Sequence, residues 1–124
     1  MNAREETMVD GEARGADPRS DFEEFIRSEA RSHWPEAEVR YRSRARKGSH
    51  CWQVEVPGVG EFWVGATDEV LDDPAEVDAA AESLRRRAWL ERLPDVPTHG
   101  VQVRDGGRVL QWNPERDDTI GELV

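Results

Sequence analysis

The chain has 124 residues, a length typical of one domain, and its formal net charge is −10 because 27 acidic side chains outnumber 17 basic ones. There is no run of about 20 apolar residues to form a transmembrane helix, and the single cysteine, Cys51, excludes an internal disulfide and a cysteine-cluster zinc site. The acidic total argues against general attraction to nucleic acid.

The start of the chain contains no apolar signal segment, so we expect a cytoplasmic protein. The basic side chains are sixteen arginines and one lysine, Lys47. Two explanations fit this bias: a GC-rich genome, or adaptation to high salt, in which surplus carboxylates keep the surface soluble.

Composition divides the chain into three parts. Residues 1–19 contain no Leu, Ile, Phe, Trp or Tyr, and they predict a disordered acidic tail because they cannot bury enough apolar surface. Residues 20–114 predict a single α+β domain. Residues 115–124 predict a flexible acidic C-terminal tail, in which Ile120 and Leu123 could dock against the domain.

The first helix is predicted from Ser20, which forms a capping box with Glu23, to Trp34, where Pro35 ends it. Its apolar stripe is Phe22, Phe25, Ile26 and Ala30. The second helix is predicted from Asp73 as the cap, with Pro74 at its first position, to Leu93. Its apolar stripe is Val77, Ala81, Leu84 and Ala88.

Three segments between the helices alternate in polarity with period two and predict strands at 39–47, 50–56 and 61–66. For the second and third strands we expect a three-residue loop that sets Val56 opposite Phe62 and Val54 opposite Val64, with Gly60 in a left-handed conformation.

A final hairpin is predicted around Gly106-Gly107 as a two-residue turn, with Val103 opposite Leu110 and Val101 opposite Trp112.

The predicted fold is α+β with the order α-β-β-β-α-β-β and an antiparallel sheet, both helices packing on one face. The other face then carries polar side chains that could meet a partner. They are Arg40, Arg42, Arg44, Arg46, Gln53, Glu55 and Trp63, together with Gln102, Arg104 and Gln111 if the last hairpin joins the same sheet.

The order helix, three strands, helix resembles that of double-stranded RNA-binding domains. That family needs a basic start to its second helix, whereas residues 72–76 here read Asp-Asp-Pro-Ala-Glu. With the last hairpin added, the order resembles that of small acidic secretion chaperones. This second resemblance implies a dimer that binds extended segments of partner proteins.

An exposed tryptophan among arginines suits an anionic peptide or nucleic-acid bases. In a purely structural alternative, Arg40 or Arg42 pairs with Glu55 across the strands and only stabilises the sheet. We expect a non-enzymatic interaction module that binds a protein or peptide partner, or a second copy of itself. Single-stranded nucleic-acid or nucleotide binding on the same face is the alternative. The predicted partner-binding residues are Arg40, Arg42, Arg44, Arg46, Gln53 and Trp63.

We expect no catalytic residues, metal site or cofactor. His50 and Cys51 are adjacent in a predicted strand, so their side chains point to opposite faces and do not form a nucleophile–base pair. His33 and His99 match no metal-binding spacing. An enzyme remains a third class, and a deep pocket lined by His50 or His99 together with a carboxylate would favour it.

Overall fold

The computed structural model describes residues 17–43, 49–116 and 118–123. Its elements in chain order are α1 (Pro18–His33), β1 (Glu38–Ser43), β2 (Ser49–Val56), β3 (Gly60–Thr67), α2 (Asp68–Leu71), α3 (Pro74–Arg86), α4 (Trp89–Arg92), β4 (Gly100–Arg104), β5 (Arg108–Asn113) and β6 (Asp118–Glu122). Short 3₁₀ turns occupy Leu93–Asp95 and Asp105–Gly107.

The described strands form one six-stranded sheet in which the spatial order equals the chain order, from β1 to β6. The predicted α+β class is confirmed, but the prediction of a fully antiparallel sheet is wrong. β3 and β4 are parallel, whereas the other neighbouring strands are antiparallel. The connection through α2, α3 and α4 is long enough for the crossover that parallel neighbours require.

Helix α1 begins two residues before the predicted start. Its cap is Asp17, whose carboxylate accepts hydrogen bonds from the backbone N–H of Ser20 at 3.3 Å and from the Ser20 hydroxyl at 3.0 Å. Pro18 fits the first helical position because its missing N–H would have no partner there. Ser20 is therefore not the cap. The rest of the predicted tail, residues 1–16, lies outside the described residues.

Strand β1 pairs Val39 with Val54 and Tyr41 with Trp52, and its register shifts between Tyr41 and Ser43. The shift is a β-bulge, which bends a strand and disturbs its alternation. The predicted strand continues to residue 47, but residues 44–48 lie outside the described part of the chain.

The β2–β3 hairpin has a three-residue loop at 57–59, which sets Val56 opposite Gly60 and Val54 opposite Phe62. The predicted register is wrong by two residues, because the loop closes directly on Gly60. The predicted faces are right, because a shift of two residues preserves the alternation of a strand.

Helix α3 begins as predicted: the Asp73 carboxylate accepts the backbone N–H of Ala75 at 3.0 Å, and Pro74 follows the cap. The predicted continuation to Leu93 is wrong. Ala88 adopts a left-handed conformation with φ +51°, which ends the helical path before α4 begins. Ala88 is exposed, and the buried face of α3 consists of Val77, Ala80, Ser83 and Leu84.

The β4–β5 hairpin has a three-residue turn, Asp105–Gly107, in place of the predicted two-residue turn. Gly106 and Gly107 both have positive φ, +78° and +73°, which glycine adopts without the steric cost of a β-carbon. Val103 consequently lies opposite Val109. This one-residue slip moves Leu110 and Trp112 to the face opposite that predicted for them.

The hydrophobic core cluster contains side chains from α1, from α3 and from one face of the sheet, which we call the core face. Its strand members are Val39, Trp52, Val54, Val56, Phe62, Val64, Ala66, Val101, Val103 and Val109. The opposite side of the sheet is called the second face. Strand β6 lies within the segment for which composition predicts a flexible tail, and its residues are exposed.

Candidate functional site

The second face carries two rows of side chains that run across β1, β2 and β3. In the arginine–tryptophan row, Arg40 lies opposite Gln53, and Gln53 lies opposite Trp63. In the glutamate row, Glu38 lies opposite Glu55, and Glu55 lies opposite Glu61. The two rows are neighbours, because their members are two residues apart on each strand.

Arg40 connects the two rows. Its Nη2 lies 2.7 Å from Oε1 of Glu38, and its Nη1 lies 3.5 Å from Oε1 of Glu55. The three side chains are about half exposed, so these ion pairs contribute little to stability. They do offset the repulsion between carboxylates that stand directly opposite each other. The two rows together contain one guanidinium and three carboxylates.

The remaining predicted site residues are distributed unevenly. Arg42 is exposed and lies at the bulge of β1, while Arg44 and Arg46 lie outside the described residues. Trp63 is half-buried, and its neighbour on β4 is Gly100, which has no side chain to cover the indole.

The β4–β5 part of the second face differs from the open polar surface that was expected. Gln102 is 2% exposed and accepts a hydrogen bond from Nε of Arg104 at 2.9 Å. Gln111 lies opposite Val101 and therefore belongs to the core face. Leu110 and Trp112, which were predicted for the core face, are buried on the second face.

A second cluster centres on His50, for which no catalytic role was predicted. His50 is 8% exposed, and both of its ring nitrogens have partners. Nδ1 lies 2.9 Å from the Tyr41 hydroxyl, and Nε2 lies 2.8 Å from Oδ1 of Asp68. His50 lies opposite Ala66, and Cys51 lies opposite Gly65, so these neighbours do point to opposite faces as predicted.

For the neutral imidazole of His50, the hydrogen-bond partners determine which ring nitrogen carries the hydrogen. A carboxylate only accepts hydrogen bonds, so Nε2 carries the hydrogen that is donated to Asp68. Nδ1 is then the acceptor and receives the hydrogen of the Tyr41 hydroxyl. The result is a chain in which a phenol donates to an imidazole and the imidazole donates to a carboxylate.

A cavity of about 550 Å³ opens beside this cluster. It is lined by Asp17, Pro18, Arg19, His50, Asp68, Leu71 and Asp72. The guanidinium carbon of Arg19 lies 5.0 Å from the centroid of the Tyr41 ring, and Tyr41 is 37% exposed. The cavity is open to solvent rather than deep. It combines His50 with carboxylates, and Arg19, which lines it, connects it to Tyr41.

A sequence signal for this cluster was present. Tyr41 and His50 both share the alternation of the core-face residues on their strands, and Asp68 directly follows β3. What the sequence did not predict was helix α2, whose first residue, Asp68, holds its carboxylate against His50.

The carboxyl groups of Asp17, which caps α1, and of Glu23 within α1 have shifted pKa values. Burial by itself raises the pKa of Glu23, but the hydrogen bonds from Trp52 Nε1 at 2.9 Å and from Arg27 at 3.0 Å outweigh it, so the pKa lies below its ordinary value. The hydrogen bonds from Ser20 lower the pKa of Asp17.

Among residues 17–43, 49–116 and 118–123, no group of three or more His, Cys, Asp or Glu side chains is arranged to hold a metal ion. In the same part of the chain, no helix has the length and apolar character needed to cross a membrane.

Comparison of the chain with known proteins found no match. No protein-family model matches the chain. No curated protein matches it in sequence, and no solved structure matches it.

Proposed function

We propose that the protein is a cytoplasmic binding module that contacts a protein or peptide partner through the second face of the sheet. The observation that carries the proposal is the arginine–tryptophan row, in which Arg40, Gln53 and Trp63 lie side by side on three adjacent strands. Arg42 is exposed at the bulge of β1. Arg42, Arg44 and Arg46 were predicted for this surface from the alternation of the sequence alone.

The proposal takes both long helices to lie on the core face. Support comes from the core cluster, where side chains of α1 and α3 are grouped with strand residues of one alternation only. With the helices on that side, the β1–β3 part of the second face is left for a partner.

The charges of the two rows favour a cationic partner segment over the anionic one that the arginines alone suggest. Arg40 is already paired with Glu38 and Glu55, whereas Glu61 is exposed and has no ion pair among the described residues. Glu61 and Trp63 are two residues apart on β3 and share a face. A lysine or arginine of the partner could lie against the indole ring while its charge meets the carboxylates.

The glutamate row also separates this proposal from nucleic-acid binding. Within the two rows, phosphate groups would meet three carboxylates and one already paired guanidinium, and like charges at an interface weaken association. Binding of a second copy of the chain is the other outcome to be distinguished.

Fluorescence anisotropy with defined probes tests the proposal. The probes are an arginine-containing serine-rich peptide, the same peptide with glutamate in place of arginine, and a single-stranded oligonucleotide. We expect the arginine peptide alone to bind at low salt, and Glu61→Lys or Trp63→Ser to weaken it by at least about fivefold. Glu69→Lys, which changes an exposed glutamate on α2, is the matched charge control and should bind as the unmodified chain does.

Stronger binding of the oligonucleotide would reject the proposal in favour of the nucleic-acid alternative. Equal binding of the two peptides, or an unchanged affinity in Glu61→Lys, would also contradict it. Light scattering tests the remaining alternative, which is binding of a second copy of the chain. A dimer that Glu61→Lys dissociates while Glu69→Lys does not would assign the surface to a second copy.

A further inference from the structure

We infer that Tyr41, His50 and Asp68 form a nucleophile–base–positioning triad, in which the Tyr41 phenol attacks the carbonyl carbon of an acyl ester held in the adjacent cavity. This assignment goes beyond the proposed binding function and uses the other side of the sheet. It rests on three side chains, two hydrogen bonds and one cavity.

The geometry is that of an activated nucleophile. A base must lie within hydrogen-bond reach of the proton that it removes, and the base must itself be oriented by a third group. The 2.9 Å contact between the Tyr41 hydroxyl and His50 Nδ1 meets the first condition, and the 2.8 Å contact between Nε2 and Asp68 meets the second. Asp68 acts as the positioning residue.

Burial distinguishes the roles of the two rings. His50 is almost entirely enclosed, so its ring is fixed in one orientation, whereas Tyr41 is 37% exposed and can be approached by a reactant. Tyr41 also packs edge-on against Trp52, which restricts the motion of its ring. A base that is held rigidly and a nucleophile that is accessible are the arrangement that acyl transfer requires.

The step balances without a co-reactant other than water. The Tyr41 oxygen forms a bond to the acyl carbon, its proton moves to His50 Nδ1, and the ester C–O bond breaks as the alkoxide leaves. His50 returns the proton from Nδ1 to the departing alkoxide, and an acyl-tyrosine remains. Water then attacks the acyl carbon, His50 accepts a proton from the water, and the Tyr41 oxygen leaves as phenol with that proton.

The charges around the cavity indicate the class of ester. Arg19 lines the cavity, and its guanidinium lies over the face of the Tyr41 ring. Asp17, Asp68 and Asp72 line the same cavity, so an anionic substrate would be repelled. The site therefore fits a neutral or cationic acyl ester.

The composition of the chain makes the proposal testable, because Tyr41 is the only tyrosine. The full chain is treated with p-nitrophenyl acetate, and the acetylated residue is identified by fragmentation mass spectrometry, which separates Tyr41 from Lys47 and the N-terminal amine. We expect Tyr41 acetylation to be about a hundredfold slower in His50→Gln and to be slowed in Asp68→Asn, because a positioned general base contributes a factor of about 10²–10⁴.

Two controls separate reactivity from folding. Glu69→Gln changes the exposed carboxylate next to Asp68 and should leave the rate of Tyr41 acetylation unchanged. Circular dichroism checks that each variant is folded, and if His50→Gln is not, Asp68→Asn carries the comparison. The inference is overturned if Tyr41 is not acetylated, or if folded His50→Gln or Asp68→Asn reacts as fast as the unmodified chain.

Discussion

The indole ring of Trp112 lies against the backbone of Gly65 on the second face of the sheet. A β-carbon at position 65 would stand 2.6 Å from Cζ3 of Trp112, 2.8 Å from Cη2 and 3.0 Å from Cε3. Trp112 is fully buried, so the ring has little room to withdraw. Glycine at position 65 is thus what allows a tryptophan to cover the sheet there.

We expect Gly65→Ala to lower the free energy of unfolding by about 1–3 kcal/mol, because overpacking a filled site forces side chains away from their preferred positions. Chemical denaturation measures the change. Gly121→Ala is the matched control, since a β-carbon at Gly121 meets nothing within 4 Å.

A double-mutant cycle refines this test. In a Trp112→Leu background, Gly65→Ala should cost less than it does in the unmodified chain. An equal cost in both backgrounds would show that the ring is not the source of the conflict.

The lowered pKa of Glu23 predicts a pH dependence of stability. The pKa is lower in the folded chain than in the unfolded one, so the charged carboxylate contributes stability above the ordinary glutamate pKa of about 4.3. That contribution is lost as the pH falls through the folded-state pKa. Unfolding midpoints measured from neutral to acidic pH should therefore fall less steeply in Glu23→Gln.

Glu24 provides the comparison for Glu23. Its side chain is 76% exposed and lies 3.6 Å from Arg27, without the indole contact. Glu24→Gln should keep the acid dependence of the unmodified chain. If Glu24→Gln flattened the curve as much as Glu23→Gln, the hydrogen bond from Trp52 would not be its cause.

The cap of α3 predicts a local loss of stability. Asp73→Ala removes the acceptor for the Ala75 backbone N–H and should cost about 1 kcal/mol in thermal or chemical unfolding. Asp78→Ala changes an exposed aspartate within the same helix and should stay within about 0.5 kcal/mol of the unmodified chain.

Arg87 ties the end of α3 to the end of the chain. Its Nε donates to the backbone carbonyl of Leu123 at 2.7 Å, and its Nη1 donates to the carbonyl of Ser83 at 3.2 Å. Without the guanidinium, the Leu123 carbonyl loses this donor. Arg87→Met should therefore speed amide hydrogen exchange in β6, which hydrogen-exchange mass spectrometry resolves.

Arg86→Met is the appropriate control for Arg87, because Arg86 is 64% exposed and its nearest carboxylate, on Glu82, is 4.0 Å away. Exchange in β6 should be unchanged in that variant. Equal acceleration in both variants would mean that loss of a surface charge, rather than loss of the Leu123 contact, loosens the strand.

Sequence periodicity predicted the interiors of the helices and strands, but it did not predict the residues at which they begin and end. The stripe with Phe22 and Ile26 identified α1, and the alternation around Val54 and Phe62 identified the core face. The β4–β5 turn has one residue more than predicted. This places Trp112 on the second face rather than the core face, because a one-residue slip exchanges the two faces of a strand.

The candidate sites were predictable to different degrees. The row of Arg40, Gln53 and Trp63 follows from alternation, which is a local property of the sequence. The neutralisation of Arg40 by Glu38 depends on side-chain conformation, and the contact between His50 and Asp68 depends on the position of a helix that the sequence did not predict.

The coincidence of spatial order and chain order in the sheet has a consequence for biosynthesis. Each strand pairs with its immediate predecessor, so α1 and β1–β3 can associate while the rest of the chain is still being synthesised. The pairing of Trp63 with Gly100 closes the longest loop between the described strands, and its closure entropy is the largest in the sheet. We therefore expect the pairing of β4 with β3 to be the slowest step in forming the sheet on the nascent chain.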